Sequence, residues 1–327
     1  MDFKAIKDIL RNDLDRVISV IEASIASDID LLDKTNKSIL SHSGKQLRPV
    51  LTLLAARACS GGFVTDDTVR YAAASELLHN ATLLHDDVAD GSRQRRGMPT
   101  VMSLLGGRAS VLLGDFWLVK AMENILKSDN SSSQVIRIFA KTLSDLAEGE
   151  LLQLQKAEAG DTMEADYNRI IYSKTASLFE ASMVSGAVSV SASDEARKAV
   201  RNYARTVGMA FQIKDDILDY DGDSSIGKPV GNDLRERKIT LPLIGALANV
   251  GADEAREVRK MVCDIDEHPE YQGRIVSFVR ERGGIEYACS KLSEYVENAK
   301  IQLRPLGGGA DVEMLSCIAD FVSMRKS

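Results

Sequence analysis

The pattern Asp-Asp-x-x-Asp occurs twice in this chain, at Asp86–Asp90 and again 129 residues later at Asp215–Asp219. Each copy directly follows an apolar stretch, residues 81–84 in the first case and residues 207–213 in the second. The first and last aspartates of each copy lie four residues apart, so on a helix their carboxylates share one face about one turn apart. The chain therefore places clustered anions at the ends of two apolar helices, where they repel each other unless a cation lies between them.

Helical periodicity dominates the rest of the chain. Apolar residues recur three or four apart from Ile6 to Ile21 and from Val312 to Val322, which predicts an amphipathic helix near each end. Glycine-rich breakers separate further segments of helical length. The only strand-like alternation, at residues 188–191, is too short to outweigh them. The clearest helices are predicted at roughly 66–90, 108–128, 133–157, 163–186 and 195–221.

The composition agrees with a helical protein. Only 6 prolines and 5% aromatic residues accompany 44% hydrophobic residues in a chain of 327, which disfavours an all-β sandwich or a disordered chain. The formal net charge of −7 argues against nucleic-acid binding, which usually requires a strong basic excess. A prior of about 150 residues per domain would give two domains. Because no linker-like tract separates the motifs, we instead predict one all-α domain over residues 1–327.

The cysteines and the start of the chain indicate where such a protein works. Cys59, Cys263, Cys289 and Cys317 show no Cys-x-x-Cys spacing, so we expect neither a zinc site nor disulfides, and predict reduced, buried thiols. No apolar run approaches the roughly 18 residues of a membrane span, and the charged first residues do not resemble a signal peptide. We therefore expect a cytoplasmic protein without an integral membrane segment.

The two acidic motifs predict a site for a hard metal ion. Carboxylates four residues apart on a helix repel each other by roughly 0.2–0.5 kcal/mol per exposed pair, and a bound cation removes that cost. Oxygen ligands without His or Cys at matching spacing favour Mg²⁺, which typically takes one or two carboxylates plus substrate phosphates. A solvated acidic helix end is the alternative, and the second copy of the motif makes it less favourable.

Cationic residues near these motifs predict phosphate binding. Arg93, Arg95 and Arg96 directly follow the first motif, where simple neutralisation of the aspartates is the alternative interpretation. Lys45 and Arg48 lie three apart at a predicted helix start. Arginine suits phosphate oxygens through its planar fork, and lysine supplies a point charge. Separate cationic groups beside two metal-type clusters indicate a site for more than one diphosphate; Lys174, Lys228 and Lys238 are further candidates.

As an ordered set, these motifs resemble those of the trans-isoprenyl diphosphate synthase family, over about residues 40 to 245. That family has a first aspartate-rich motif ending in Arg-Arg-Gly and a second one later. One position departs from its pattern, since Arg237 stands where glycine usually precedes the lysine. The stretches that carry the resemblance are LLHDDVADGSRQRRG at 83–97, FQIKDDILDY at 211–220, GKQLRP at 44–49, ASVLLGD at 109–115, KTAS at 174–177, GKP at 227–229 and KITLP at 238–242.

The resemblance implies a helical bundle around a central apolar cavity and a role for each matching residue. Asp86, Asp90 and Asp215 are expected to be the main ligands of up to three Mg²⁺ ions, assisted by Asp87, Asp216 and Asp219. The allylic diphosphate, with farnesyl or geranylgeranyl diphosphate as primer, and isopentenyl diphosphate are expected to bind at separate groups. The residues implied are Arg95, Lys174, Thr175, Gln212, Lys228 and Lys238 for the former, and Lys45, Arg48, His79 and Arg96 for the latter.

The resemblance further implies ionisation, condensation and elimination, with Asp86, Asp90, Asp215, Lys174 and Arg95 as the catalytic set. Metal ions and fixed cations are expected to stabilise the departing diphosphate. The released diphosphate is expected to take up the proton that is lost when the new trans double bond forms. It also implies a homodimer, for which residues 108–128 offer an amphipathic surface.

Product length is predicted from the helix that precedes Asp86. Its rise of about 1.5 Å per residue places Leu78, Ala81 and Thr82 along the growing tail. Short-chain members of the family carry an aromatic residue near positions 81–82, whereas both residues are small here. We therefore expect an all-trans product of about C30 to C50, centred on octaprenyl, of the kind attached to respiratory quinones.

Three other functions share features with this sequence. A class I terpene cyclase also ionises allylic diphosphates with aspartate-bound Mg²⁺, but it needs no second diphosphate site, so Lys45, Arg48 and the arginine pair at 95–96 count against it. A non-catalytic partner subunit is expected to have degraded motifs, whereas both are complete here. A di-iron four-helix bundle needs Glu-x-x-His pairs, which the sequence lacks.

Overall fold

The computed structural model describes residues 1–41, 44–95, 97–128, 132–221 and 231–325. Over these residues the protein is all-α, with one two-stranded antiparallel ladder, which confirms the predicted fold class. The elements are α1 (Phe3–Ile9), α2 (Arg11–Ile25), α3 (Asp30–Ser41), α4 (Leu47–Ser60), α5 (Asp66–Ala89), β1 (Gln94–Arg95), β2 (Met98–Pro99), α6 (Val101–Leu105), α7 (Gly107–Leu126), α8 (Ser132–Ala159), α9 (Glu164–Ile171), a π-helical turn (Tyr172–Ala176), α10 (Ser177–Ser189), α11 (Asp194–Asp221), α12 (Asn232–Arg235), α13 (Leu241–Ala248), α14 (Ala252–Cys263), α15 (Tyr271–Glu281), α16 (Gly284–Gln302), a 3₁₀ turn (Arg304–Leu306) and α17 (Ala310–Met324).

The first of two compact units comprises Met1–Ala140, Ala181–Arg201 and Pro305–Leu315. In this unit α5 packs against α2, α4 and α7. Its residues 71–78 are all buried, including the polar side chains of Ser75 and Glu76. The contact with α7 is close, because Ser110 Oγ donates a 2.8 Å hydrogen bond to the carbonyl oxygen of Leu84. This packing fixes the end of α5, where the first acidic motif lies.

The second unit comprises Lys141–Glu180, Asn202–Arg304 and Ser316–Ser327. Here α13 is buried throughout residues 241–247 and packs against α15 and α16. The approach of α16 depends on Gly284, where a Cβ atom would lie 2.1 Å from the carbonyl oxygen of Pro242. The segment 236–240, which carries Lys238, leads directly into this buried helix. The core of the unit therefore anchors that segment.

The predicted helices are confirmed, with one correction. The stretch predicted as one helix at 163–186 contains the π-helical turn Tyr172–Ala176 between α9 and α10. The alternation at 188–191 forms no strand, as expected from its shortness, because Val188 and Ser189 end α10; the two short strands at Gln94–Arg95 and Met98–Pro99 were not predicted. The single-domain assignment stays a prediction.

Cysteine burial also needs correction. The four cysteines form no disulfide with one another, but Cys289 is exposed and the other three are only half-buried. Among the described residues, no helix combines the length and apolar character needed to cross a membrane.

Candidate active site

The first acidic motif occupies the last turn of α5. This helix starts at a capping box formed by Thr65 and Thr68, and it ends with the N–H of Asp90 donating to the carbonyl oxygen of Asp86 at 2.8 Å. Asp86 is half-buried and Asp90 is exposed. The C-terminal end of a helix carries a partial negative charge, so a carboxylate there is disfavoured by about 0.3–1 kcal/mol. A cation bound at this turn would offset that cost.

Asp87, the middle aspartate of the motif, is buried and paired with Arg95. Nε of Arg95 donates to Oδ1 of Asp87 at 2.9 Å. Arg95 lies in β1, which pairs with β2, and Thr100 Oγ1 closes the segment by donating to the carbonyl oxygen of Ser92 at 2.7 Å. Arg95 therefore neutralises Asp87, as the alternative interpretation of the arginines after the first motif expected. This ion pair fixes Arg95 beside the motif.

His85 lies in α5 and contacts α7; it belongs to the first motif stretch, but sequence reasoning assigned it no role. Its Nε2 is 3.2 Å from Oδ1 of Asp115 and 3.3 Å from the carbonyl oxygen of Val111. A Cβ atom at Gly114 would lie 2.4 Å from the same nitrogen. The glycine in ASVLLGD therefore makes room for the imidazole ring that precedes Asp86.

The residues predicted to bind isopentenyl diphosphate lie near the start of α4 and along α5. Lys45 is exposed just before α4 and Arg48 is half-buried in its first turn. Helix N-termini favour anions. His79 is half-buried in α5. Arg96 lies outside the described residues, as does Lys228.

The predicted chain-length residues lie one to two turns before Asp86, as expected. Leu78 and Ala81 are buried and Thr82 is half-buried. The hydroxyl of Thr82 donates to the carbonyl oxygen of His79 at 2.8 Å, so its methyl group is the part left for apolar contact. These three positions therefore carry only small or aliphatic groups.

The second acidic motif lies in the last two turns of α11. Its middle residue, Asp216, is buried, and each of its oxygens accepts a hydrogen bond. Tyr167 donates its hydroxyl to Oδ2 at 2.6 Å and Gln212 donates Nε2 to Oδ1 at 2.8 Å. Burial raises the pKa of Asp216 well above its ordinary value, and the nearby charge of Asp233 raises it further. The motif is thus tied to the interior of its unit.

Lys174 and Thr175 lie in the π-helical turn. Thr175 Oγ1 donates to Oε1 of Gln212 at 2.7 Å, so a chain of hydrogen bonds links Thr175, Gln212, Asp216 and Tyr167. Nζ of Lys174 is 2.6 Å from Oε1 of Glu150 and 3.1 Å from Oε1 of Gln153. π-Helical turns inside longer helices are frequent at functional sites. The structure therefore brings two of the predicted allylic-diphosphate residues, Thr175 and Gln212, into one network, and Lys174 lies in the same π-helical turn.

Asp219, the last residue of the motif, holds the start of α12. Its carboxylate accepts the backbone N–H groups of Asn232 and Asp233, each at 3.1 Å. Burial raises the pKa of Asp219, while these hydrogen bonds oppose the rise. Burial raises the pKa of Asp233 to about 7, and repulsion from Asp219 adds to the shift. Asp233 lies outside the Asp-Asp-x-x-Asp pattern, and sequence reasoning missed it.

Arg237 adopts the left-handed conformation, with φ +56°, at the position where the family pattern usually has glycine. The backbone therefore follows a path that glycine would take readily, and the Arg237 side chain pairs with Asp266. The N–H of Lys238 donates to the carbonyl oxygen of Asp233 at 2.8 Å, and its ammonium group pairs with Glu236. Although Arg237 replaces the usual glycine, the backbone keeps the left-handed conformation that glycine favours.

A cavity of about 110 Å³ lies in the second unit beside these groups. It combines two lysines, Lys174 and Lys238, with the carboxylates of Asp216 and Asp233 and the amide of Gln212. Ammonium and amide groups suit an anionic phosphate, and carboxylates suit a hard cation. The lining therefore has the donor set of a metal–diphosphate site.

Asp215 pairs with a residue that the sequence did not indicate. Nη1 of Arg325, which directly follows α17, lies 2.8 Å from Oδ1 of Asp215. No local pattern around Arg325 would have identified it, because the contact joins the end of the chain to the second motif.

The donor set fits Mg²⁺ bound together with a substrate. No three His, Cys, Asp or Glu side chains form a ready-made metal cage within the described ranges. The motif side chains supply oxygen donors alone, and Mg²⁺ is typically held by one or two carboxylates plus phosphate oxygens. This donor set is compatible with Mg²⁺ held together with a diphosphate.

The chain is similar to known proteins along most of its length. The sequence model of the polyprenyl synthetase family matches residues 29–278. Octaprenyl diphosphate synthase of Haemophilus influenzae is 35% identical over 300 residues, covering 91% of this chain and 90% of that protein. A short chain isoprenyl diphosphate synthase of Methanothermobacter thermautotrophicus is 33% identical over 326 residues, covering 98% and 99%. The crystal structure of a polyprenyl synthase from Caulobacter crescentus, complexed with calcium and isoprenyl diphosphate, superimposes with a TM-score of 0.91 at 34% identity, covering 100% of this chain and 98% of that one.

The chain therefore belongs to the polyprenyl synthetase family. It is an enzyme of the trans-prenyltransferase class, and its activity is the elongation of prenyl chains.

Proposed function

We propose that this enzyme condenses isopentenyl diphosphate head-to-tail with an allylic diphosphate, in the presence of Mg²⁺, to give a long all-trans polyprenyl diphosphate. The proposed product is about C30 to C50 long, with octaprenyl favoured, for use as a quinone side chain. The observation that carries the proposal is the cavity lined by Lys174, Gln212, Asp216 and Lys238, because it offers both cationic and carboxylate groups to a metal-bound diphosphate.

Asp86, Asp90 and Asp215 are the proposed direct ligands of up to three Mg²⁺ ions. When bound, Mg²⁺ neutralises the charge that develops on the departing diphosphate. Asp216 and Asp219 already accept two hydrogen bonds each, so their proposed contribution is through water. Asp87 contributes by holding Arg95.

The allylic diphosphate is proposed to bind Arg95, Lys174, Thr175, Gln212 and Lys238, with Lys228 as a further ligand. The bond from Nε of Arg95 to Asp87 orients the guanidinium, and its terminal nitrogens suit a phosphate group. The network from Thr175 to Tyr167 fixes the Gln212 amide before substrate arrives. Such preorganisation lowers the reorganisation needed during ionisation.

Isopentenyl diphosphate is proposed to bind Lys45, Arg48, His79 and Arg96. The N-terminal end of α4 adds a favourable field for its phosphates. In the reaction, the C–O bond of the allylic diphosphate breaks, the alkene of isopentenyl diphosphate attacks the allylic cation, and the released diphosphate takes the proton lost from the new chain. Apolar residues such as Leu78 exclude the water that would quench the cation.

Long-chain synthesis is supported by the small residues on α5. The names of the relatives span octaprenyl and short chain synthases at similar identity, so family membership leaves product length open. Ala81 and Thr82 place no aromatic ring one turn before Asp86. We therefore favour a product longer than C20.

A homodimer is proposed, with α7 as its contact. Leu112, Val119 and Leu126 are each more than half exposed and lie seven residues apart. Apolar residues at this spacing form a continuous seam along one face of a helix, of the kind that pairs with another helix. A second copy of this chain would cover that seam.

The test is incubation of the purified protein with labelled isopentenyl diphosphate, farnesyl or geranylgeranyl diphosphate, and MgCl₂, followed by mass analysis. We expect a ladder of polyprenyl diphosphates ending between C30 and C50, and inorganic diphosphate as co-product. Asp86→Ala and Asp215→Ala are expected to abolish turnover with the helical circular dichroism retained. Asp66→Ala, at the opposite end of the same helix as Asp86, is the matched control and should keep full activity.

Consumption of the allylic diphosphate without isopentenyl diphosphate, giving a hydrocarbon, would instead indicate a terpene cyclase. A protein inactive under all these conditions would contradict the proposed catalysis altogether.

A further inference from the structure

The second acidic motif carries a buried counter-ion from the end of the chain. Arg325 is only 8% exposed, and its Nη1 lies 2.8 Å from Oδ1 of Asp215. Its Nη2 donates to the carbonyl oxygen of Phe211 at 2.6 Å. The guanidinium also lies 3.8 Å above the centroid of the Phe211 ring. One arginine therefore contacts the motif residue and the helical turn before it.

These contacts make Arg325 a fixed charge. The N–H of Arg325 donates to the carbonyl oxygen of Phe321 at 3.1 Å, so the residue completes the last turn of α17, where a cation is favoured. Its Nε is buried without a hydrogen-bond partner among the described residues. Burying a guanidinium incompletely bonded is costly. The ion pair with Asp215 and the stacking on Phe211 are what offset that cost.

The ion pair has two consequences for Asp215. It fixes the rotation of the carboxylate and leaves Oδ2 as the oxygen through which Asp215 would bind a metal ion. It also places the positive charge of Arg325 against the carboxylate that would bind the metal ion. In a partly buried site such a charge repels a divalent cation and attracts a diphosphate.

We propose that Arg325 is a positioning residue that makes metal binding at Asp215 depend on diphosphate. It weakens the binding of the bare cation and strengthens the binding of the metal–diphosphate complex. The proposal rests on the proposed function, because it takes Asp215 as a metal ligand. It adds a residue that lies outside both acidic motifs and outside the 29–278 match to the family.

The experiment measures Mn²⁺ binding by electron paramagnetic resonance, first alone and then with inorganic pyrophosphate. Arg325→Gln is expected to bind Mn²⁺ alone about fivefold more tightly, since a nearby like charge is removed. At saturating Mn²⁺ the same variant is expected to bind pyrophosphate at least threefold more weakly. Arg325→Lys keeps the charge and is expected to stay within twofold of the unsubstituted protein in both measurements.

Lys300→Gln is the matched control. Lys300 pairs with Asp320 of α17 at 2.6 Å, so its loss removes one positive charge and one restraint on the same helix without touching Asp215. We expect it to leave both affinities unchanged. A second check combines Arg325→Gln with Asp215→Asn. In this double variant, Arg325→Gln should no longer change the affinity for Mn²⁺ alone.

The outcomes separate the two proposals. If Arg325→Gln lowers the affinities for Mn²⁺ alone and for pyrophosphate together, or changes neither, the proposed role of Arg325 is wrong. An equal effect of Lys300→Gln would also contradict it. If the unsubstituted protein binds no pyrophosphate with Mn²⁺, the proposed function fails instead, while the comparison for Mn²⁺ alone still decides whether Arg325 opposes the bare cation.

Discussion

The hydroxyl of Tyr167 donates a 2.6 Å hydrogen bond to Oδ2 of Asp216. This bond ties α9 to the second acidic motif, and through Gln212 it reaches Thr175 in the π-helical turn. A carboxylate held by two neutral donors keeps its orientation, and that orientation fixes the Gln212 amide that is proposed to meet the diphosphate.

Tyr167→Phe should therefore impair allylic substrate binding more than isopentenyl diphosphate binding. We expect about a tenfold rise in KM for the allylic diphosphate, since loss of outer hydrogen bonds typically costs 10–100-fold. Tyr287→Phe is the matched control, because Tyr287 donates a 2.7 Å bond to Glu164 in the same unit. Steady-state kinetics with each substrate varied separately would measure the difference, and equal changes in the two variants would speak against the proposed network.

Ala81→Phe should shorten the product. The ring would occupy space about one turn before Asp86, so chain growth should stop at about C15–C20. Because Ala81 is buried, the larger side chain should also lower the free energy of unfolding by about 1–3 kcal/mol. Ala81→Ser keeps the volume small and should preserve the product ladder. Mass analysis of the products decides the matter, and an unchanged ladder in an active Ala81→Phe enzyme would refute the assignment.

Charge on the α7 seam should break the proposed dimer. Leu112→Glu with Val119→Glu places two carboxylates on the surface where apolar residues are expected to meet, and unpaired buried charges are strongly unfavourable. Light scattering after gel filtration should report about half the mass of the unsubstituted protein. Phe63→Glu, at an exposed apolar residue outside that helix, should leave the mass unchanged. A monomeric unsubstituted protein would contradict the proposal.

Arg237→Gly should be more stable than Arg237→Ala. Both variants lose the ion pair with Asp266, whereas only glycine adopts φ near +56° without steric cost. The expected difference is about 1 kcal/mol in the free energy of unfolding. Urea unfolding of the two variants measures it, and a more stable alanine variant would show that this turn carries no strain.

Asp233 should make the protein less stable as the pH rises. Its pKa is raised from 3.8 to about 7 by burial and by Asp219, so between these values the folded state holds a proton that the unfolded state has released. The free energy of unfolding therefore falls from about pH 4 to pH 7, and above pH 7 the full penalty applies. Below pH 4 both states are protonated and the effect disappears.

Asp233→Asn removes this penalty. In the presence of a chelator, its midpoint of thermal unfolding should exceed that of the unsubstituted protein at pH 8 by at least about 2 °C, and the difference should vanish near pH 4. Asp253→Asn, at an exposed residue of α14, should show no such trend. A pH-independent difference for Asp233→Asn would exclude this explanation.

The sequence was sufficient to predict features that repeat locally. The glycine breakers delimited the segments that form α5, α7 and α11, and the i, i+4 spacing correctly placed Asp86 and Asp90 one turn apart at a helix end. Proximity in sequence also allowed a pairing between aspartate and arginine, which the structure finds at Asp87 and Arg95. The predicted roles of the site residues stay predictions.

Contacts between distant segments could not be predicted in this way. Tyr167, Asp233 and Arg325 each belong to an ordinary local pattern, and only the tertiary fold brings them to the second motif. His85 was next to a recognised motif, but the reason for its position is the missing side chain at Gly114. Such relationships depend on which helices pack together, and a single sequence does not specify that.

The π-helical turn at Tyr172–Ala176 also changes the direction in which the following side chains point around the helix axis. An additional residue in one turn rotates all later positions by about 100° around the helix axis. The side chains of α10 therefore point in directions rotated from those that a regular continuation of α9 would give, although the two helices are continuous along the chain. Deleting one residue from this turn should restore regular winding and carry Thr175 away from Gln212, without removing any charged group.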